Sequence, residues 1–149
     1  MEKIKLEEFE KTAMQKILQG ADPILKVLRE QYENAQVLER EFSKIGFFTT
    51  YKVPESLLRT NDPANFEIVD VCGYVNGIIV VLILFVRDGA IDFLEACTFG
   101  ELWPNKIKNY EVMYIIKNGK GTSKQRDMET LSKYLKKRKK LQNQEQNDK

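Results

Sequence analysis

Four carboxylates near the middle of the chain have the residue type and spacing for chemistry. Asp70, Asp92 and Glu95 fall in segments rich in strand-forming residues, and Glu101 follows closely. Two carboxylates on one sheet face could bind a divalent cation or act as general acid and base. Alternatively, they form the wet surface of a half-buried sheet. Strand register decides between these two interpretations. A two-residue turn sets Asp92 opposite Phe85, whereas a three-residue turn moves Asp92 and Glu95 to the other face of the sheet.

Other reactive side chains are scarce. The chain has no histidine, so the usual proton shuttle near neutral pH and the Ser-His and Cys-His nucleophile pairs are excluded. Cys72 and Cys97 are too few for a zinc site, which usually needs four ligands. If they flank one central strand, their Cα atoms lie about 9.5 Å apart, beyond the roughly 7 Å that a disulfide tolerates. We expect two reduced, buried thiols, no metal and no cofactor, although a reactive Cys97 is an alternative, and a non-catalytic protein is favoured over an enzyme.

The segment CTFGELWP, residues 97–104, contains a turn glycine, the only tryptophan and a proline. It predicts a loop folded over one end of a sheet. With GFFTTY, residues 46–51, its aromatic side chains could line a ligand pocket or a partner-binding surface. The alternative is that these side chains close the second face of the sheet as core. The aromatic candidates are Phe47, Phe48, Tyr51, Phe99 and Trp103.

Strands must position most of these side chains. Residues 78–86 form an unbroken apolar run between an Asn-Gly and an Asp-Gly dipeptide, which are strong hairpin signals. With residues 67–75 and 90–97, this run predicts a three-stranded antiparallel meander. Residues 46–54 and 110–116 add further strands, giving a mainly antiparallel sheet of about five. Because the central run is apolar at every position, we expect both sheet faces to be covered.

Two amphipathic helices precede the sheet. Apolar residues recur every three or four positions before Gly20, and Asp22 followed by Pro23 marks the start of a second helix. The second apolar stripe continues to Phe42, so this helix is expected to run until Gly46. The resulting helical hairpin would cover one sheet face. Loops or a second copy of the chain would cover the other face, which raises the prospect of a homodimer.

The predicted fold class is therefore α+β, with a single domain over residues 1–120. Thr122 and Gln125 fit a capping box that opens a basic C-terminal helix over residues 121–140. Residues 141–149 contain little to bury and are expected to be disordered.

The net charge of +2 conceals an acidic body and a basic tail. Residues 1–116 carry 13 basic and 18 acidic side chains, whereas residues 117–149 carry 11 and 4. An acidic body without histidine favours a protein-binding module of the immunity or antitoxin kind, with a basic protein as partner. The second hypothesis is a small-molecule site or carboxylate-based enzyme with a pocket under CTFGELWP. Nucleic-acid contact through the basic tail is the third, and it is disfavoured because the tail shows no recognised nucleic-acid-binding fold.

No membrane segment is expected. Residues 78–86 supply nine apolar residues, less than half of the roughly 20 that a spanning helix needs. The chain opens with charged residues rather than a signal sequence, so we expect a cytoplasmic protein. Together, GADP, LREQ, GFFTTYKVP and FVRDGAIDFLEACTFGELWP resemble segments of a family of small, uncharacterised bacterial proteins. The resemblance spans roughly residues 20–104 and implies a bacterial cytoplasmic protein, without an activity or a site.

Overall fold

Two helices, the strands of one seven-stranded antiparallel sheet and a third helix follow one another along the chain. The structure is a computed structural model that describes residues 2–116 and 121–135. The elements are α1 (Glu2–Ile17), α2 (Pro23–Asn34), β1 (Gln36–Phe42), β2 (Gly46–Lys52), β3 (Phe66–Val75), β4 (Ile78–Arg87), β5 (Ala90–Cys97), β6 (Tyr110–Ile115), β7 (Thr122–Ser123) and α3 (residues 128–135). The predicted α+β class, with helices at both ends of an antiparallel sheet, is confirmed.

The predicted meander forms the centre of the sheet, whose strand order is β1-β2-β5-β4-β3-β6-β7. Its two turns need left-handed backbone at both central positions. Asn76 and Gly77 have φ values of 51° and 80°, and Asp88 and Gly89 have values of 52° and 77°. These are the conformations that Asn-Gly and Asp-Gly favour, which explains why both hairpins form at these positions.

The prediction of five strands and a long second helix was wrong. The second helix ends at Asn34, and residues 36–42 form β1, which pairs with β2 at the edge of the sheet. Most of β1 is exposed on both faces, so its sequence lacks the alternation that identifies a strand. Leu38 and Phe42 continue the apolar spacing of the preceding helix only by coincidence. Pairing of this segment with β2 outweighs its local helical pattern. The short β7 raises the count to seven.

The helices cover one face of the sheet, which we call the inner face. α1 packs on β3 and β6, and α2 packs on β5. Along β4, Val80, Leu82 and Leu84 are fully buried on this face. Gly73 admits the ring of Phe9, because a Cβ atom there would lie 2.9 Å from that ring. The inner face is thus the core of the protein.

The opposite, outer face is only partly buried in the part of the chain that the structure describes. Side chains of β4 that alternate with the buried ones, such as Val81, Ile83 and Phe85, remain partly exposed. The expectation that both faces are covered is therefore met on the inner face alone among these residues. Within the same ranges, no helix is long and apolar enough to cross a membrane.

The C-terminal segment differs from its prediction. Thr122 lies in β7 rather than capping a helix, and the Asp127 carboxylate instead accepts the backbone N–H of Glu129 at 3.1 Å at the start of α3. Leu131 and Leu135 of α3 join the core cluster. Residues 136–149, which include the predicted disordered tail, lie outside the described residues.

Candidate functional site

The four predicted carboxylates do not converge. Asp70 is buried at a β-bulge of β3, where Arg126 donates to both of its oxygens at 2.7 and 2.9 Å. Arg126 also donates to the carbonyl oxygens of Ile17 and Gln19 at the end of α1. This arrangement saturates the Asp70 carboxylate and ties the C-terminal segment to the helical layer. The role of Asp70 is therefore structural.

A second β-bulge separates Asp92 from Glu95. The two-residue Asp-Gly turn is present, with Arg87 opposite Ala90, but one residue is inserted at Asp92. Phe85 consequently pairs with Phe93 rather than with Asp92. Asp92 lines a recess of about 360 Å³ that is also lined by arginine side chains, whereas Glu95 lies opposite Ile83 on the outer face.

Glu101 is exposed, and its backbone carbonyl accepts the hydroxyl of Thr98. Among residues 2–116 and 121–135, no group of three acidic or cysteine side chains is arranged to hold a metal ion.

The cysteines occupy one row of the sheet. Cys72 on β3 and Cys97 on β5 both lie directly opposite Val81 of β4, so two strand spacings separate them. Both are free thiols, and Cys72 is buried while Cys97 is half-buried. Burial raises the pKa of both thiols, and the Glu95 carboxylate raises that of Cys97 further. Such thiols are poor nucleophiles near neutral pH.

The predicted aromatic candidates divide among four places. Phe47 is core and meets Trp103 edge to face, with ring centroids 5.3 Å apart. Tyr51 is buried on the inner face, Phe48 lies on the outer face, and Phe99 is 75% exposed. They therefore do not form a single pocket.

A buried polar network escaped the sequence prediction. The Glu10 carboxylate of α1 accepts two hydrogen bonds from Arg40 at 3.0 and 3.1 Å, one from Thr49 at 2.7 Å and one from Tyr51 at 2.9 Å. Burial first, and then the Glu10 charge, raise the pKa of Tyr51 strongly and that of Tyr32 to about 12. Glu10 lies four residues after Leu6 and therefore on the apolar face of α1. A carboxylate at such a position was the feature of the sequence that could have predicted a buried polar network.

The network borders an open cavity of about 680 Å³ between the helices and β1. Because four donors already occupy the Glu10 oxygens, the network is suited to holding β1 and β2 against α1.

A groove lies beside CTFGELWP, and of the nine candidate residues only Trp103 lines it. It has a volume of about 700 Å³, and we call it the Trp103 groove. The loop is attached to the β1–β2 turn, since the backbone N–H of Trp103 donates to the backbone carbonyl oxygen of Lys44 at 2.8 Å. Phe42 and Leu102 remain 61% and 72% exposed. The apolar lining consists of Leu6, Phe42, Leu102, Trp103, Pro104 and Ile107.

The outer face carries a line of phenylalanine rings. Phe85 and Phe93 are stacked with centroids 4.2 Å apart, and Phe48 meets Phe93 at 6.1 Å. Strand register places Phe48 between Glu41 of β1 and Glu95 of β5. We call this surface the acidic aromatic face; its residues are Glu39, Glu41, Phe48, Phe85, Phe93 and Glu95.

The carboxylates of this face are not neutralised by basic side chains of the part of the chain that the structure describes. In the described ranges, Glu39, Glu41 and Glu95 take part in no ion pair. The neighbouring Glu39 carboxylate, through a hydrogen bond and its charge, raises the pKa of exposed Glu41. Arg87, which lies over the Phe85 ring, is already paired with Glu67 at 3.4 Å. The face is therefore both apolar and net negative.

No known protein family, curated protein or solved structure matches the chain.

Proposed function

We propose that this protein is a non-catalytic binding module that holds a basic partner protein on its acidic aromatic face. The observation that carries the proposal is the row in which Phe48 lies between Glu41 and Glu95 on a partly exposed sheet face. An apolar contact flanked by unpaired carboxylates suits a partner segment that combines large apolar side chains with Lys or Arg.

The aromatic centre supports the apolar part of such a contact. The ring of Phe93 contacts those of Phe48 and Phe85, and the three rings form a surface on neighbouring strands. Phenylalanine has few rotatable bonds, so ordering it on binding costs little entropy, and burying its ring area stabilises a complex. Anchors of this kind commonly dominate binding energy at interfaces.

The carboxylates favour a basic partner. The hydrogen bond with Glu39 and the Glu39 charge raise the pKa of Glu41, and a cation near the two carboxylates would offset their like charge. The same charges repel phosphate groups, which disfavours base stacking of a nucleic acid on the phenylalanine rings. Among the described residues, the buried carboxylates of Glu10 and Asp70 are both engaged by protein donors, so neither offers a free general base. A cytoplasmic location fits the two free cysteines.

The test uses defined peptides and the full chain. Fluorescence anisotropy would follow a labelled amphipathic peptide of Lys and Leu, and a matched peptide of Glu and Leu would control for apolar binding. We expect saturable binding of the Lys peptide that weakens with salt, and no binding of the Glu peptide. Binding of neither peptide would overturn the proposal.

Variants locate the binding surface. The double substitution Glu41→Gln and Glu95→Gln should lower the affinity for the Lys peptide by about tenfold. Phe93→Ala should lower that affinity by a similar factor. Glu55→Gln and Glu8→Gln remove exposed charges from a loop and from α1, and they are the matched controls. Equal loss in the controls, or tight binding of a uridine oligonucleotide that Phe93→Ala abolishes, would contradict the assignment.

A further inference from the structure

We propose that β1 accepts an extended segment of a basic partner as an additional strand of the sheet, and that the Trp103 groove receives one apolar side chain of that segment. The basic character of the partner rests on the proposed function. The site itself is separate, because it is the free edge of β1 and the groove at its end.

The edge is long, and no other strand covers it among the described residues. β1 spans seven residues, and Val37 and Leu38 are 48% and 58% exposed. Its side away from β2 is the end of the strand order, so alternate N–H and C=O groups along it have no ladder partner among the described residues. Addition of a peptide strand to such an edge is a recurring recognition mode. The opposite edge, β7, has only two residues.

Two separate recesses lie along the inner side of β1, one near Val37 and one near Phe42. Arg40 lies between Val37 and Phe42 and is fixed by its two hydrogen bonds to Glu10. Val37 borders the cavity next to the Glu10 network, and Phe42 borders the Trp103 groove. A strand added about 4.8 Å from β1 would point alternate side chains towards these recesses. The groove, lined mainly by apolar residues, suits a large apolar side chain.

The outer side of β1 sets the charge of the added strand. Glu39 and Glu41 project on this side, opposite Thr50 and Phe48 of β2. Lys or Arg at alternate positions of the added strand would lie directly beside these carboxylates. The segment that fits best therefore alternates basic with large apolar side chains.

A second copy of β1 fits poorly. Residues that oppose each other across an antiparallel pair share a sheet face. In registers centred on Glu39 or Arg40, two-fold pairing would place Glu39 opposite the partner's own Glu39 or Glu41. Like charges directly opposite each other destabilise the pair. The edge thus discriminates against homodimer formation through β1.

Trp103 reports occupancy, because it is the only tryptophan and it lines the groove. The probe is the peptide Lys-Val-Lys-Val-Lys-Phe-Lys-Val with both ends blocked. Two derivatives carry N-methyl groups on alternate peptide nitrogens, one derivative for each edge of the peptide. We expect a saturable change in Trp103 emission with the parent peptide. One derivative should lose about tenfold in affinity, because its methyl groups remove ladder hydrogen bonds, while the other binds like the parent.

Substitutions test the groove. Phe42→Ala and Leu102→Ala change exposed residues and should weaken binding of the parent peptide by about fivefold. Leu58→Ala removes a similarly exposed apolar side chain away from the groove and should leave the affinity of the peptide unchanged. Equal binding of both N-methyl derivatives would overturn strand addition. An identical Trp103 response to blocked phenylalanine alone, at similar affinity, would instead assign the groove to a small apolar ligand. If the proposed function fails and this inference is correct, the Lys and Leu peptide does not bind, while Trp103 emission still changes with the parent peptide. If the proposed function is correct and this inference fails, the Lys and Leu peptide binds and the parent peptide leaves Trp103 emission unchanged.

Discussion

The Arg126 guanidinium donates to both carboxylate oxygens of Asp70, which lies 56 residues earlier in the sequence. The side chains are only 7% and 1% exposed, so both charges are removed from water. Arg126 also stacks over the ring of Tyr114, at 4.9 Å from its centroid. The pair therefore joins α1, β3, β6 and the C-terminal segment at one point.

Replacing Arg126 should destabilise the fold strongly. Arg126→Ala leaves Asp70 buried without a partner, and we expect the free energy of unfolding to fall by about 3–5 kcal/mol in urea titration. The matched control is Arg87→Ala, which breaks the exposed pair with Glu67. That change should cost less than about 1 kcal/mol. Similar losses in the two variants would show that burial of the Asp70 pair does not matter.

The Glu10 network makes a second stability prediction. Tyr51→Phe removes one of the donors to the Glu10 carboxylate, and the free energy of unfolding should fall by about 1.5–3 kcal/mol. Tyr32→Phe is the control, because Tyr32 lies edge-on to Tyr51 and its hydroxyl makes no hydrogen bond within the described residues. We expect that control to change stability by less than about 0.5 kcal/mol. A larger effect of Tyr32→Phe at neutral pH would refute the assignment.

The same tyrosines predict alkaline instability. Burial raises the pKa of Tyr32 from 10.0 to about 12 in the folded protein. The unfolded chain therefore releases this proton first, and stability falls as the pH rises between those two values. Urea titrations across that range should show a steep loss for the natural sequence and a shallower one for Tyr32→Phe. Parallel pH profiles would contradict the raised pKa of Tyr32.

Sequence patterns specified the features that depend on local chemistry. The turn at Asp88 and Gly89 and the helix start at Asp22 were predicted because short stretches of sequence determine them. In α2, the Asp22 carboxylate accepts the backbone N–H of Ile24 at 2.8 Å, as a capping residue should. Such signals operate within a few residues and do not require knowledge of the fold.

Register was beyond prediction because β-bulges interrupt three strands, at Leu38, at Asp70 and at Asp92. A bulge inserts one residue and shifts all following partners, yet it leaves little trace in the hydrophobic pattern. Asp70 and Asp92 both lie at bulges. Regular strand pairing therefore could not predict which sheet face either carboxylate occupies, or whether the two lie close together. The lining of the Trp103 groove was beyond prediction because it includes Arg40 and Phe42 of β1, a segment that the sequence pattern assigned to a helix.

The row containing Cys72, Val81 and Cys97 makes the final prediction. With Val81 between them, the cysteines are two strand spacings apart, about 9.6 Å, so oxidation should not join them in the folded protein. The Glu95 charge adds to burial in raising the pKa of Cys97. Glu95→Gln should therefore speed alkylation of Cys97 by about two- to threefold, and Cys72 provides the internal control. Mass spectrometry after timed iodoacetamide treatment measures both rates, and equal acceleration at Cys72 would indicate general loosening of the sheet instead.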